Sequence, residues 1–79
     1  QEHIARKLRR VRRRCDSIDR IEFVLVVERA EHKAEANLHL AGADLFASET
    51  LSDMYPAIDS VIEKLDRQVT DHKRKHRTH

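Results

Sequence analysis

Between Ile4 and Cys15 the apolar residues fall at Ile4, Leu8, Val11 and Cys15. Spacings of four, three and four residues place them on one stripe of a helix, so residues 2–15 are predicted to form an amphipathic helix ending near Asp16-Ser17. From Arg20 to Arg29 the period changes to two. Ile21, Phe23, Leu25 and Val27 alternate with Glu22, Val24, Val26 and Glu28, a β-rich run too short for a helix. Ala30-Glu31-His32 is the expected turn. Lys33 to Leu40 alternates again, with Ala34, Ala36, Leu38 and Leu40 set against Lys33, Glu35, Asn37 and His39, the pattern of a half-buried antiparallel strand. The only glycine, Gly42, lies in Ala41-Gly42-Ala43-Asp44, where a chain reversal is expected, and Leu45 to Thr50 supplies a third strand.

A second helix follows, capped by Ser52 or Asp53, with Pro56 tolerated inside its first turn. Met54, Ile58, Val61, Ile62, Leu65 and Val69 form its buried stripe. Beyond about residue 70 the apolar pattern fades into a basic tail, expected to continue the helix into solvent. The predicted order is helix, three strands, helix. A meander with one apolar face needs a cover, so the fold class is α+β with both helices on one face of the sheet, in one domain spanning 1–79.

At 79 residues the chain has a thin core and little material for a deep pocket, so neither an enzyme nor a small-molecule substrate is expected. Its single cysteine, Cys15, cannot form an internal bridge and points to a reducing compartment, the cytoplasm. It lies on the apolar stripe and reads as a packed thiol. No apolar run is long enough to span a bilayer, so no membrane partner is expected. Phe23 and Phe46 read as core residues, Asp53 as a cap and Asp59 as an exposed helical carboxylate. His72 and His76 have i,i+4 spacing, but their basic neighbours repel a cation, so no metal and no other cofactor is expected.

Charge changes the picture most. Residues 1–20 carry eight Lys/Arg against three Asp/Glu, residues 21–60 two against eight, and residues 61–79 six against three. The ends are basic and the middle is acidic. Arg6, Lys7, Arg9, Arg10, Arg12, Arg13 and Arg14 fall within nine residues, with no acid between His3 and Cys15. A surface selected only for solubility mixes signs, so this run points to phosphate. On the second helix Lys64, Gln68, His72 and Lys75 share a stripe, with Arg67 and Arg74 beside it. Two helices side by side would merge these groups into one cationic face. The candidate RNA-binding residues are Arg6, Lys7, Arg10, Arg13, Arg14, Lys64, Arg67, Gln68, His72, Lys73 and Lys75. With no exposed aromatics expected, recognition would be of RNA backbone and shape.

From Ser52 to His76 the chain closely resembles the signature helix of the ribosome hibernation promoting factor family. The resemblance is carried by Asp53-Met54-Tyr55, Ala57-Ile58-Asp59, Lys64-Leu65, Arg67-Gln68 and His72-Lys73. Ala34-Glu35-Ala36-Asn37-Leu38-His39-Leu40 and Leu45-Phe46-Ala47-Ser48 resemble its third and fourth strands, and Lys7-Leu8 with Arg10-Val11 the end of its first helix. The resemblance implies a β-α-β-β-β-α fold like that of double-stranded-RNA-binding domains, here without a counterpart of the first strand. Asp71 stands where members commonly have a basic residue. It also implies the short form of the family: a stress or stationary-phase factor, monomeric off the ribosome, that binds 16S-type ribosomal RNA of the small subunit near the decoding region. There it would exclude mRNA and tRNA and favour inactive ribosome pairs. Two other readings fit the charge pattern, a generic duplex-RNA binder and a protein-interaction or dimerisation domain.

Overall fold

A computed structural model of the chain describes residues 2–15, 17–40 and 42–77, without the side chains of residues 14, 76 and 77. The element order is α1 (Glu2–Arg14), β1 (Ile18–Glu28), β2 (Glu31–Leu40), β3 (Ala43–Leu51) and α2 (Met54–Arg77). This is the predicted α+β arrangement. Glu2 in the first turn of α1 and the arginines of its last turn have the signs that the helix dipole favours. Asp53 occupies the position before α2, where its carbonyl accepts the Ala57 N–H at 3.3 Å, and Pro56 falls in the first turn.

The strands form an antiparallel meander in the order β1-β2-β3. Ala34, Ala36, Leu38 and Leu40 are buried under the helices, and the register aligns Ile21, Phe23 and Leu25 of β1 with Leu38, Ala36 and Ala34. On the other side, Ala47 and Leu45 pair with Ala36 and Leu38. α2 lies over β2 and β3, and α1 packs beside α2. Buried Ala34, Ala36, Ala47 and Ala57 add little bulk between sheet and helix, so Ile58, Val61, Leu65 and Val69 reach the strands directly. The α1 stripe closes the core with Val11 and Cys15 buried and Ile4 and Leu8 packed against them. The Cys15 thiol is a packed group, as expected, with Sγ 3.2 Å from the Ser17 hydroxyl.

Several expectations need correction. The first turn is tighter than Ala30-Glu31-His32: β2 begins at Glu31, and Arg29-Ala30 alone reverses the chain. Arg29 takes φ 55, the left-handed sign that two-residue hairpin turns require at their first central position. At the second reversal Gly42 has φ 82; Ala41, like Asp16 in the expected end of α1, lies outside the described residues. Leu25 and Val27 face the helix side, but α1 packs against α2 and leaves them exposed. Phe46 is not a core residue. It pairs with Asn37, on the face turned away from the helices, and 50% of its surface is exposed.

Candidate nucleic-acid interface

With about 100° between successive helical residues, the α1 core stripe leaves Arg6, Arg9 and Arg13 on the opposite, outward crest. All three are exposed, as are Arg10 and Arg12, and none of the five pairs with a carboxylate among the described residues. The Arg14 side chain lies outside the described residues. The flank of α1 facing α2 behaves differently. Here His3, Lys7 and Arg10 occur at i, i+4 and i+7, and Lys7 and Arg10 border a crevice whose α2 wall carries Asp59, Glu63 and Asp66 at the same spacing. His3 Nε2 donates to Asp59 Oδ1 at 2.8 Å, and Lys7 Nζ lies 3.7 Å from the same oxygen. The His3 ring also stands edge-on to Tyr55, with centroids 5.0 Å apart. Asp59 is therefore a half-buried link between the helices, not the exposed carboxylate expected from its position. The helices run in the same direction, and matching charges along their seam help to fix that alignment.

On α2 the crest opposite the core carries Arg67 and Arg74, both exposed. Arg67 has no carboxylate partner among the described residues, whereas Arg74 lies 4.0 Å from Asp71. The flank away from α1 carries Lys64 and Gln68, and both turn inward to the edge of β3. Lys64 Nζ donates to Ser48 O at 2.9 Å and to Glu49 Oε1 at 3.2 Å, and Gln68 Nε2 donates to Phe46 O at 2.8 Å. Phe46 and Ser48 are two residues apart, so both carbonyls point out of the same sheet edge, and α2 caps them. Hydrogen bonds from the Ser60 hydroxyl, at 2.9 Å, and then from Lys64 hold the Glu49 carboxyl below its ordinary range. Further along α2, His72 is half-buried and Lys73 and Lys75 are exposed.

The expectation of one uninterrupted cationic face is thus modified. Two arginine crests point away from the sheet on the same side of the molecule, and a seam containing three acids runs between them. Lys7 is engaged in that seam, Arg10 lines it, and Lys64 and Gln68 are engaged at the β3 edge. Arg6, Arg13 and Arg67 carry the accessible charge, together with Arg9 and Arg12.

The opposite face of the sheet holds acidic residues of the strands, Glu22, Glu35 and Asp44 among them, and one histidine among the described residues. His39 Nδ1 lies 2.6 Å from Asp44 and its Nε2 lies 3.4 Å from Glu22. The Asp44 hydrogen bond, reinforced by Glu22, holds the imidazole above its ordinary range, because only the protonated ring donates to both carboxylates at once. A raised folded-state pKa stabilises the fold fully below the unfolded value of 6.5, and this contribution disappears as pH rises through the folded value. Thermal unfolding followed between about pH 5 and 9 is therefore expected to show a small loss of stability toward alkaline pH, smaller in a His39→Gln variant. Identical profiles for the two proteins would refute the assignment.

The family model described as Sigma 54 modulation protein / S30EA ribosomal protein matches residues 1–77. The chain belongs to that family. Among curated members of the Sigma 54 modulation protein / S30EA family, the Ribosome hibernation promoting factor of Escherichia coli K12 is 39% identical over 79 residues, covering 100% of this chain and 83% of that protein. The protein of the same name from Azotobacter vinelandii is 39% identical over 75 residues, 95% of this chain and 70% of the relative. Two solved structures share the fold. A ribosomal subunit interface protein from Coxiella burnetii superposes with a TM-score of 0.84 at 28% identity, covering 91% of this chain and 79% of that one. The N-terminal domain of Protein Y from Thermus thermophilus gives 0.82 at 28%, covering 90% and 79%. The resemblance read from the α2 motifs is therefore correct at the level of family and fold.

Within this family fold the interhelical pairs and the capped β3 edge escape sequence reading. One signal for the seam was present: the matched i, i+4, i+7 sets on α1 and α2, of opposite sign, once the helices were known to be neighbours.

Proposed function

We propose that the chain is a ribosome hibernation factor. It binds ribosomal RNA of the small subunit near the decoding region, occupies the space that mRNA and tRNA need, and favours inactive paired ribosomes under stress or in stationary phase. The observation that carries this reading is the pair of outward arginine crests, Arg6, Arg9 and Arg13 on α1 with Arg67 on α2, which pair with no carboxylate among the described residues while the neighbouring Lys7 and Lys64 are taken up by structural contacts. Free guanidinium groups on rigid helices suit phosphate oxygens, which they contact in bidentate geometry. The names of the two curated relatives described above, both Ribosome hibernation promoting factor, support the same reading. Arg14, Lys73 and Lys75 extend the proposed contact surface, with His72 at its margin. Lys7, Lys64 and Gln68 contribute by holding the two crests and the β3 edge in place, and Lys7, Arg10 and Lys64 through the positive potential they add.

Inhibition under this reading comes from occupancy in the cytoplasm, one chain per subunit, with no cofactor and no turnover. The test is competition on purified bacterial small subunits. Saturating them with the chain should prevent subsequent binding of a labelled mRNA and initiator tRNA, and excess duplex RNA should compete poorly for the chain. Undiminished mRNA and tRNA binding to chain-loaded subunits would refute the decoding-region assignment. Equal competition by any duplex would favour a generic duplex-RNA binder.

A further inference from the structure

The arginine crests and the outer face of the sheet carry opposite charge. On the face turned away from the helices, the ladder aligns Glu22, Val24, Val26 and Glu28 of β1 with Asn37, Glu35, Lys33 and Glu31 of β2. Arg20 and Asp44 join them there as the cross-strand partners of His39. The carboxylates Glu22, Glu28, Glu31, Glu35 and Asp44 therefore face only Arg20, Lys33 and the His39 ring. Those cations are already committed. Lys33 Nζ lies 2.9 Å from Glu35, Arg20 Nε lies 3.6 Å from Glu22, and His39 sits between Glu22 and Asp44.

Glu28 and Glu31 are left over. They stand directly opposite each other where β1 and β2 meet the turn, and neither pairs with a cation among the described residues. Like charges opposed across a ladder destabilise it, and a cation brought between them removes that cost. The same face leaves Val24 and Val26 exposed. Val26 joins Glu28, Glu31, Lys33 and Thr50 around a cleft at the hairpin end. An apolar side chain beside two carboxylates matches a lysine or arginine, whose methylene stem is apolar and whose head is cationic.

RNA does not fit this face, because its phosphates would meet carboxylates, and the same face of a second copy is repelled for the same reason. A protein surface rich in lysine and arginine does fit. Proteins that neutralise ribosomal RNA carry such an excess, so an assembled small subunit offers it beside the RNA. We infer that the outer face of the sheet, centred on Val26, Glu28 and Glu31, docks against a lysine- and arginine-rich surface of a small-subunit protein while the helix crests hold RNA. This rests on the ribosomal reading and deepens it by adding a second class of partner, on the opposite side of the molecule.

The test turns on a sign. Glu28→Lys with Glu31→Lys changes these two positions from −2 to +2, which should preserve or tighten binding to protein-free 16S-type ribosomal RNA. On purified small subunits the same variant is expected to bind about tenfold more weakly, because cations would then face cations. Glu28→Gln with Glu31→Gln removes the charge without reversing it, and should weaken subunit binding by about threefold without weakening RNA binding. Both residues are exposed, so circular dichroism should show wild-type folding for either pair. Should the lysine pair unfold, the glutamine pair decides. A zero-length carbodiimide, which joins a carboxylate to an amine in contact with it, should link Glu28 or Glu31 of the wild type to a lysine of a subunit protein. The docking face is overturned if a folded variant pair binds subunits as tightly as the wild type, if it loses RNA binding equally, or if the cross-links join two copies of the chain. A wild-type chain that binds neither RNA nor small subunits overturns the ribosomal reading itself.

Discussion

Replacing Arg6, Arg9 and Arg13 together by Ala is expected to remove about half of the salt sensitivity of small-subunit binding while leaving the fold intact. If about six side chains neutralise phosphates in the wild-type complex, affinity falls by roughly 10³ between about 50 and 200 mM salt, because each neutralised phosphate releases condensed counterions. Removing three contacts leaves a fall of roughly 30-fold over the same range. The three arginines project from the crest of α1 and have no carboxylate partner among the described residues, so their loss breaks no internal ion pair. Alanine is also the best helix former, so α1 should be at least as stable as before. A variant that keeps the wild-type slope would show that the α1 crest does not touch RNA. One that unfolds would show that these side chains support the structure.

The second large effect concerns the core. Leu65→Ala is expected to cost about 2–5 kcal/mol, the range for a fully buried leucine whose site cannot collapse. Leu65 is completely buried, between Val61 and Val69 on the stripe that α2 presses onto β2 and β3. A domain of this size has roughly 4–12 kcal/mol of stability in total, at about 0.05–0.15 kcal/mol per residue. The substitution therefore removes a large share of it. Each kcal/mol lowers the melting temperature of so small a domain by about 4–8 °C, so the midpoint should fall by at least about 8 °C. Ribosome binding should disappear with the fold, and the same variant kept below its melting temperature should bind. A shift of under about 3 °C would mean that α2 does not anchor the core.

The contrast between these two sites explains what could be read from the sequence. The apolar stripes of α1 and α2 and the alternation of β2 specify elements because burial is periodic, and Val11, Leu38 and Leu65 are buried as their spacing requires. Phe46 failed that logic. Alternation across Leu45-Phe46-Ala47 allows either parity to face the helices, and an aromatic residue biases the choice toward the core. Small Ala47 is the buried one, because α2 runs close to the sheet there. Leu25 and Val27 obey the alternation yet stay exposed, since facing the helix side is not the same as lying under a helix.

The candidate site was legible in its residue types more than in their roles. Every cation on α1 looks alike in sequence, yet Lys7 reaches Asp59 on the other helix while Arg6 and Arg13 have no carboxylate partner among the described residues. Lys64 and Gln68 lie on the predicted stripe but point to the Ser48 and Phe46 carbonyls, a pairing that depends on which strand ends up beneath α2. Tertiary neighbours decide these roles, and local spacing does not encode them.

Sedimentation with purified bacterial small subunits through a sucrose gradient tests the central claim most directly. The chain is expected to travel with the subunits at about 50 mM salt, saturating at one copy each, and to remain at the top of the gradient at about 500 mM, because its attachment is phosphate neutralisation. A chain that stays at the top at low salt, or that remains bound at high salt, would contradict it.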